Sequence, residues 1–146
     1  MRLFLTGATG YIGTALCLRL RAEGDEVRAL VRASSPAKAL ELLREIGVAT
    51  FVGDLRERYS MREAMSGADW VIHAAAELDL AASAERMAAA NVEGSENVAS
   101  LALKLGVGRF LSISSMAAWG GSPADGTPPT ENSRCGGFVP PKAATR

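Results

Sequence analysis

Short apolar runs alternate along the chain with longer stretches in which apolar residues return every three or four positions, and each run or stretch ends in a recognisable punctuation residue. "RLFLT" at residues 2–6 predicts a first strand. The segment from about Tyr11 to Ala22 carries Ile12, Leu16 and Leu20 at helical spacing, and Gly24 stands where a C-terminal cap would close that helix. "EVRALVR" predicts a second strand. Ser35 and Pro36 read as the N-cap and first-turn proline of a second helix, which puts Leu40, Leu43 and Ile46 on one face and stops at Gly47. "VATFV" is the third strand. Ser60 and Glu63 have capping-box spacing for a short helix ending near Gly67, and "DWVIHAA" follows as a fourth strand. A long Ala-rich helix then runs to about Gly106, and "RFLSISS", Arg109 to Ser115, supplies a fifth strand.

Strands that alternate with helices predict βαβ units and a parallel sheet covered on both faces. Right-handed crossovers with a reversal at the first strand give the order 3-2-1-4-5, which is an α/β, Rossmann-like, doubly wound sheet with an incomplete second half. We read residues 1–115 as that domain and 116–146 as an irregular Gly/Pro-rich tail. No internal repeat or linker interrupts the chain before residue 116.

Within this frame the glycines of "TGATGYIG" acquire a purpose. Gly7 ends the first strand, Gly13 falls in the first turn of the first helix, and Gly10 lies between them. A glycine at the strand end permits a tight turn, a middle one lets backbone approach a pyrophosphate, and the last lets helix and strand pack closely. The phosphates would rest on the free N–H groups at the positive end of the helix. This placement points to dinucleotide binding, although the spacing differs from the familiar GxGxxG.

Composition narrows the partners. Among 146 residues, sixteen basic and sixteen acidic side chains are interspersed to a formal charge of zero, so no net field draws nucleic acid or an anionic membrane. No apolar run reaches the about 18 residues of a membrane span, and no signal-peptide pattern opens the chain, so a cytoplasmic location is expected. Cys17 and Cys135 lack metal-site spacing, and Cys17 falls in a helical pattern and reads as a buried thiol; no metal is expected.

"TGATGYIG" resembles the TGxxGxxG signature of the extended short-chain dehydrogenase/reductases, the group that holds NAD-dependent epimerases and dehydratases and the dihydroflavonol reductases. Further stretches agree in order: "GDL" at 53–55, "VIHAAA" at 71–76, "NVEGSENV" at 91–98 and "SISSMAAWG" at 112–120. The resemblance covers residues 1 to about 131, after which the family pattern is lost as if the chain were truncated or frame-shifted. It implies a cofactor-binding set of Gly7, Thr9, Gly10, Tyr11, Ile12, Gly13, Asp54, Leu55, Ala74, Ala75, Ala76 and Asn91, with Asp54 and Leu55 near the adenine. Asp54 could alternatively be only a turn residue. His73, the sole histidine, reads as a packed residue near the cofactor, not as a base. Glu77, Asp79 and Glu85 read as surface charge. Asn91 is unfavourable inside a helix, which suggests that its amide has a local role such as holding backbone.

The second strand bears on the choice of cofactor. A ribose 2′-OH is usually held by an acid near this strand's end, whereas a 2′-phosphate calls for a cation and hydroxyl donors. Val31 stands where the resemblance would put the acid, and Arg32, Ser34, Ser35 and Lys38 follow. The expected cofactor is therefore NADP, with NAD the alternative; an exposed arginine beside a capping serine is the blander reading.

The resemblance also implies chemistry by a serine, a tyrosine and a lysine four residues after the tyrosine. Ser115 fits the serine, with Ser114 as its alternate. Yet the only tyrosines are Tyr11 and Tyr59, and the residue four positions before Lys142 is Phe138. Pro140 and Pro141 disfavour a helix at that point. The chain is thus expected to be the cofactor-binding part of such an enzyme, inactive as it stands, with its small-molecule substrate and oligomeric state undetermined. The alternatives are a non-catalytic NADP(H)-sensing module that acts through a partner, and a small enzyme that uses Ser115 with another base.

Overall fold

The computed structural model describes residues 1–79, 81–115, 118, 128 and 130–132. Its chain divides into two compact units, Met1–Ser112 and Ile113–Arg146. The first unit holds five strands: β1 (Arg2–Thr6), β2 (Glu26–Val31), β3 (Ala49–Val52), β4 (Trp70–His73) and β5 (Arg109–Ser112). They pair in parallel in the order β3-β2-β1-β4-β5, as the alternation of runs predicts. The order reverses at β1, so a crevice opens at the C-terminal end of β1 between the loops that leave it and β4.

β1 shows why this sequence makes such a sheet. Leu3 and Leu5 join one apolar cluster and Phe4 joins the other, so successive side chains feed opposite faces. Both faces are therefore buried, as a parallel sheet requires. One face is covered by α1 (Tyr11–Ala22) and α2 (Ala37–Glu45), through Cys17, Leu16, Leu20 and Leu43. The other is covered by α3 (Arg62–Met65) and α5 (Gly94–Lys104), through Met65, Val98 and Leu101, together with Met61 just before α3. Phe4 is fully buried, a placement worth about 2–3 kcal/mol of transfer free energy.

Four local expectations are corrected. The Ser60–Glu63 capping box does not form: the Ser60 hydroxyl turns back to accept from the Asp54 N–H and donate to the Asp54 carbonyl, both at 3.0 Å. A 3₁₀ turn at Arg58–Met61 precedes α3 instead. Ser35 likewise accepts from the Arg32 N–H at 3.0 Å, which leaves Pro36 as the residue before α2. The long Ala-rich helix is not continuous but consists of α4 (Ala84–Ala88), a π turn at Ala89–Glu93 and α5. Finally, β5 ends at Ser112, short of Ser115, because His73↔Ser112 is the last pair that β4 offers it.

Cys17 is fully buried in the core, as expected, and burial pushes its thiol up to about 11. Cys135 and the Phe138–Lys142 stretch lie outside the described residues. Among the described residues no helix is long and apolar enough to cross a membrane.

Candidate dinucleotide cleft

A cleft of about 1160 Å³ opens at the C-terminal edge of the sheet. Its inner wall is the turn from β1 into α1. Gly7 takes φ +77°, and a Cβ there would sit 2.7 Å from the backbone of Ala74 and Ala75. Gly13 is tighter still: a Cβ would lie 2.0 Å from the Gly7 carbonyl oxygen, so helix and turn touch backbone to backbone. Gly10 meets only the Gly7 oxygen, at 3.3 Å, which leaves its open side toward the cleft. The turn is closed by Gly10 N–H donating to the Gly7 carbonyl at 3.0 Å and by the Thr14 hydroxyl donating to the Ala8 carbonyl at 2.9 Å.

The start of α1 has no side-chain cap, and the first intrahelical bond runs from Thr14 N–H to the Gly10 carbonyl. Among the described residues the N–H groups of Tyr11, Ile12 and Gly13 therefore have no acceptor. They form a set of oriented donors at the positive end of a twelve-residue helix.

The outer wall comes from the ends of β2 and β3. Arg32, Ala33, Ser34 and Ser35 line it after β2, and Asp54, Leu55 and Arg56 after β3. Among the described residues the Arg32 guanidinium makes no ion pair or hydrogen bond; only its backbone is engaged, its N–H donating to the Ser35 hydroxyl and its carbonyl accepting from the Ser35 N–H. Asp54 is engaged through its carboxylate, which pairs with Arg56 at 2.7 Å. The Arg56 hydrogen bonds hold that carboxyl below the usual carboxylate range, with Arg32 adding a smaller effect.

The opposite wall follows β4 and depends on polar side chains. Ala74, Ala75 and Ala76 line the cleft, and the chain is then fixed at Glu77 by Asn91. The Asn91 side-chain oxygen accepts from the Glu77 N–H at 2.7 Å and its amide donates to the Glu77 carbonyl at 3.0 Å. Asn91 thus holds backbone, and it does so from within the π turn. Behind this wall His73, only 3% exposed, bridges Thr6 at 2.7 Å and Ser95 at 2.9 Å. Because the Ser95 hydroxyl donates to the Asn91 carbonyl, it must accept from His73 Nε2–H. Nδ1 is then the acceptor of the Thr6 hydroxyl, whose oxygen accepts in turn from the Ala75 N–H at 3.3 Å. The network assigns this tautomer, and burial lowers the His73 pKa in keeping with a neutral ring.

Of the sequence-predicted set, Gly7, Thr9, Gly10, Tyr11, Ile12, Gly13, Arg32, Asp54, Leu55, Ala74, Ala75 and Ala76 are brought together around the cleft, and Asn91 supports it from behind. Ser115 belongs to the second unit, where it is exposed in irregular backbone and its carbonyl accepts from Ala118 N–H at 3.0 Å. Sequence reading missed Arg56 and Arg86, which also line the cleft, and took Glu77 for surface charge, whereas its side chain is only 15% exposed and lines the cleft too. Glu77 and Arg86 pair at 2.7 Å, and that pair holds the Glu77 carboxyl below its usual range. The signal for Arg56 was its position two residues after Asp54; nine residues separate Glu77 from Arg86, and nothing in the pattern links them.

The model of the NAD dependent epimerase/dehydratase family matches residues 3–143. The chain belongs to that family. Over 128 residues it is 37% identical to 4-hydroxy-2-methyl-3-oxo-4-farnesyl-3,4-dihydroquinoline-1-oxide ketoreductase of Stigmatella aurantiaca, an alignment that covers 88% of this chain and 36% of that protein. A putative dihydroflavonol 4-reductase of Synechocystis is 36% identical over 118 residues, covering 80% of this chain and 33% of that one. The crystal structure of a short-chain dehydrogenase/reductase superfamily protein from Agrobacterium tumefaciens with bound NAD superposes with a TM-score of 0.80 at 27% identity, over 95% of this chain and 40% of that one. The chain therefore spans about a third of the length of these curated family members.

Proposed function

We propose that this chain is the dinucleotide-binding domain of an epimerase/dehydratase-family oxidoreductase and that it takes NADP in preference to NAD. One observation carries the first part: three N–H groups at the start of α1, without an acceptor among the described residues, border a cleft whose middle glycine leaves room for a close approach. A pyrophosphate fits that donor set by charge and by hydrogen-bonding sense. Asp54 and Leu55 would hold the adenine end, and Ala74 to Ala76 would flank the remainder. The Arg32 guanidinium, unpaired among the described residues, with Ser34 and Ser35 beside it and Val31 in place of an acid, supports a 2′-phosphate.

When bound, the cofactor would supply or accept hydride, on a carbonyl/hydroxyl or nucleotide-sugar substrate in keeping with the family. The protein's share of such chemistry is a positioned proton donor, and this chain is poor in candidates. Tyr11 is 95% exposed and Tyr59 is also exposed, and no lysine follows either at four residues. A serine hydroxyl such as that of Ser115 is too weak an acid to replace an activated tyrosine, and the loss of a positioned general acid costs about 10²–10⁴-fold in rate. We expect the 146-residue chain to bind cofactor and to turn over no carbonyl substrate at a useful rate.

Titration of the chain with NADPH and NADH tests the reading. The unmodified protein should prefer NADPH, and Arg32→Ala should abolish the preference while sparing NADH. Tighter binding of NADH by the unmodified chain would remove Arg32 from its assigned role, and absence of both affinities would remove the domain's function. Carbonyl-dependent NADPH oxidation that disappears in Ser115→Ala would overturn the expected silence.

A further inference from the structure

Behind the turn that follows β3, one side chain of α5 reaches across to the backbone. The Asn97 amide donates to the Leu55 carbonyl at 3.0 Å and to the Arg56 carbonyl at 3.3 Å, and its oxygen accepts from Arg58 Nε at 3.2 Å. A guanidinium can only donate, so Arg58 fixes which end of the carboxamide is oxygen and leaves the amide hydrogens for the two carbonyls. The carbonyl before them is claimed as well: that of Asp54 accepts from the Ser60 hydroxyl and from the Glu57 N–H, both at 3.0 Å. Three carbonyls in succession, at 54, 55 and 56, are thus each held by a donor.

The peptide unit between Leu55 and Arg56 is gripped at both ends. Its carbonyl accepts from Asn97, and its N–H donates to Asp54 Oδ1 at 2.9 Å. Because that unit is planar, the two bonds together fix its rotation and hence the direction in which Leu55 and Arg56 leave the backbone. One turn earlier on α5, a Cβ at Gly94 would lie 3.0 Å from Leu55 Cβ, so helix and turn are in close contact there. Leu55 and Arg56 line the cleft, whereas Asn97 is not part of its lining.

We propose that Asn97 is a positioning residue for cofactor binding: from α5 it fixes the peptide units that follow Leu55 and Arg56, and so sets in advance the edge of the cleft that receives the adenosine half of the dinucleotide, without touching the ligand. The inference rests on the reading above that the cleft takes a dinucleotide with its adenine end at Asp54 and Leu55. A turn free to rotate has to be ordered when the ligand arrives, and that ordering is subtracted from affinity. The effect is confined to the adenosine half, because the N–H groups offered to the diphosphate belong to the start of α1, whose turn is closed by its own bonds at Gly10 and Thr14.

The test compares ADP with inorganic pyrophosphate on the full 146-residue chain, by calorimetry, with thermal midpoints recorded for every variant. The two probes share the diphosphate and differ by adenosine, and the unmodified protein should bind ADP more tightly. Asn97→Ala should weaken ADP by about fivefold, the size of one ordinary hydrogen bond, and pyrophosphate by less than about twofold. Asn97→Asp keeps the acceptor for Arg58 but sets a carboxylate against two carbonyls, and should weaken ADP at least as much. Arg58→Ala leaves the amide donors in place and should keep the parent ratio. A folded Asn97→Ala that keeps the ratio, or that loses both probes by the same factor, overturns the proposal; if that variant does not fold, the same result in Asn97→Ser, whose hydroxyl is too short to reach the turn, overturns it equally. A parent-like ratio in Asn97→Asp, or a loss in Arg58→Ala as large as that in Asn97→Ala, also overturns it. Equal affinity of the unmodified chain for both probes overturns the role of Asn97 while the anion site at α1 stands. Absence of binding to either probe removes the dinucleotide reading itself.

Discussion

Two of the three sides of the cleft are walls built on opposite principles. The wall formed by β1 and α1 owes its shape to missing side chains: at Gly7 and Gly13 a single methyl group would collide with backbone. The wall formed by β4, the π turn and α5 owes its shape to side chains that are present, through Thr6, His73, Ser95 and Asn91. The first is determined by sterics and does not depend on protonation. The second is a chain of hydrogen bonds in which each member fixes the direction of the next, and it fails when one donor or acceptor is lost.

The largest test of this contrast lies in the steric wall. Gly13→Ala should cost about 3 kcal/mol or more, since backbone must move to admit the methyl, whereas Gly10→Ala should stay within about 1 kcal/mol in folding. Urea unfolding followed by circular dichroism separates the two, and a Gly13→Ala midpoint equal to that of the parent would refute the steric account. In the polar wall, Thr6→Val keeps the shape but strips His73 Nδ1 and the Ala75 N–H of their partner. A cost of about 2 kcal/mol is expected, with Thr6→Ser losing less because it keeps the hydroxyl. Equal losses for Val and Ser would mean that the methyl group matters and the network does not.

Acid should affect only the polar wall. The protein has one histidine, so between about pH 5 and 6.5 the titration of His73 dominates. Burial lowers its folded pKa from 6.5, so the unfolded chain takes up the proton first as pH falls. Stability contributed by the neutral ring is complete above 6.5 and declines as the pH falls below it. A His73→Asn variant should show a flat profile over the same range.

Much of the steric wall was legible in the sequence because glycine spacing and strand position are one-dimensional facts. Gly7, Gly10 and Gly13 fall where their order along β1 and α1 implies, and the order β3-β2-β1-β4-β5 follows from alternation and handedness alone. The polar wall was legible only in part. Asn91 stood out because it is a poor helix residue, but the π turn around it leaves no compositional mark in an Ala-rich stretch. Ser60 and Ser35 had capping spacing, yet backbone groups just before them in the chain claimed their hydroxyls: Ser60 folds onto Asp54 and Ser35 onto Arg32. Short polar side chains have several nearby backbone partners, and spacing cannot say which one prevails. The Glu77–Arg86 pair is set by how the chain after β4 returns to α4, which no local pattern encodes.

The central position of β1 also has a consequence in time. β1 meets β2 after one short helical crossover, but it meets β4 across some 67 residues, the separation between Thr6 and His73. Closing the longer loop costs more chain entropy and slows non-local pairing. The glycine turn can thus be in place on a β3-β2-β1 sheet before the facing wall exists, and the cleft is completed only when β4 docks and Thr6 finds His73. Pulse-labelling of backbone amides during refolding should show protection of β2 before β4, with simultaneous protection arguing against this order. A ligand that needs both walls would then act on the final folding step, pulling the last strand into register while leaving the earlier ones to form without it.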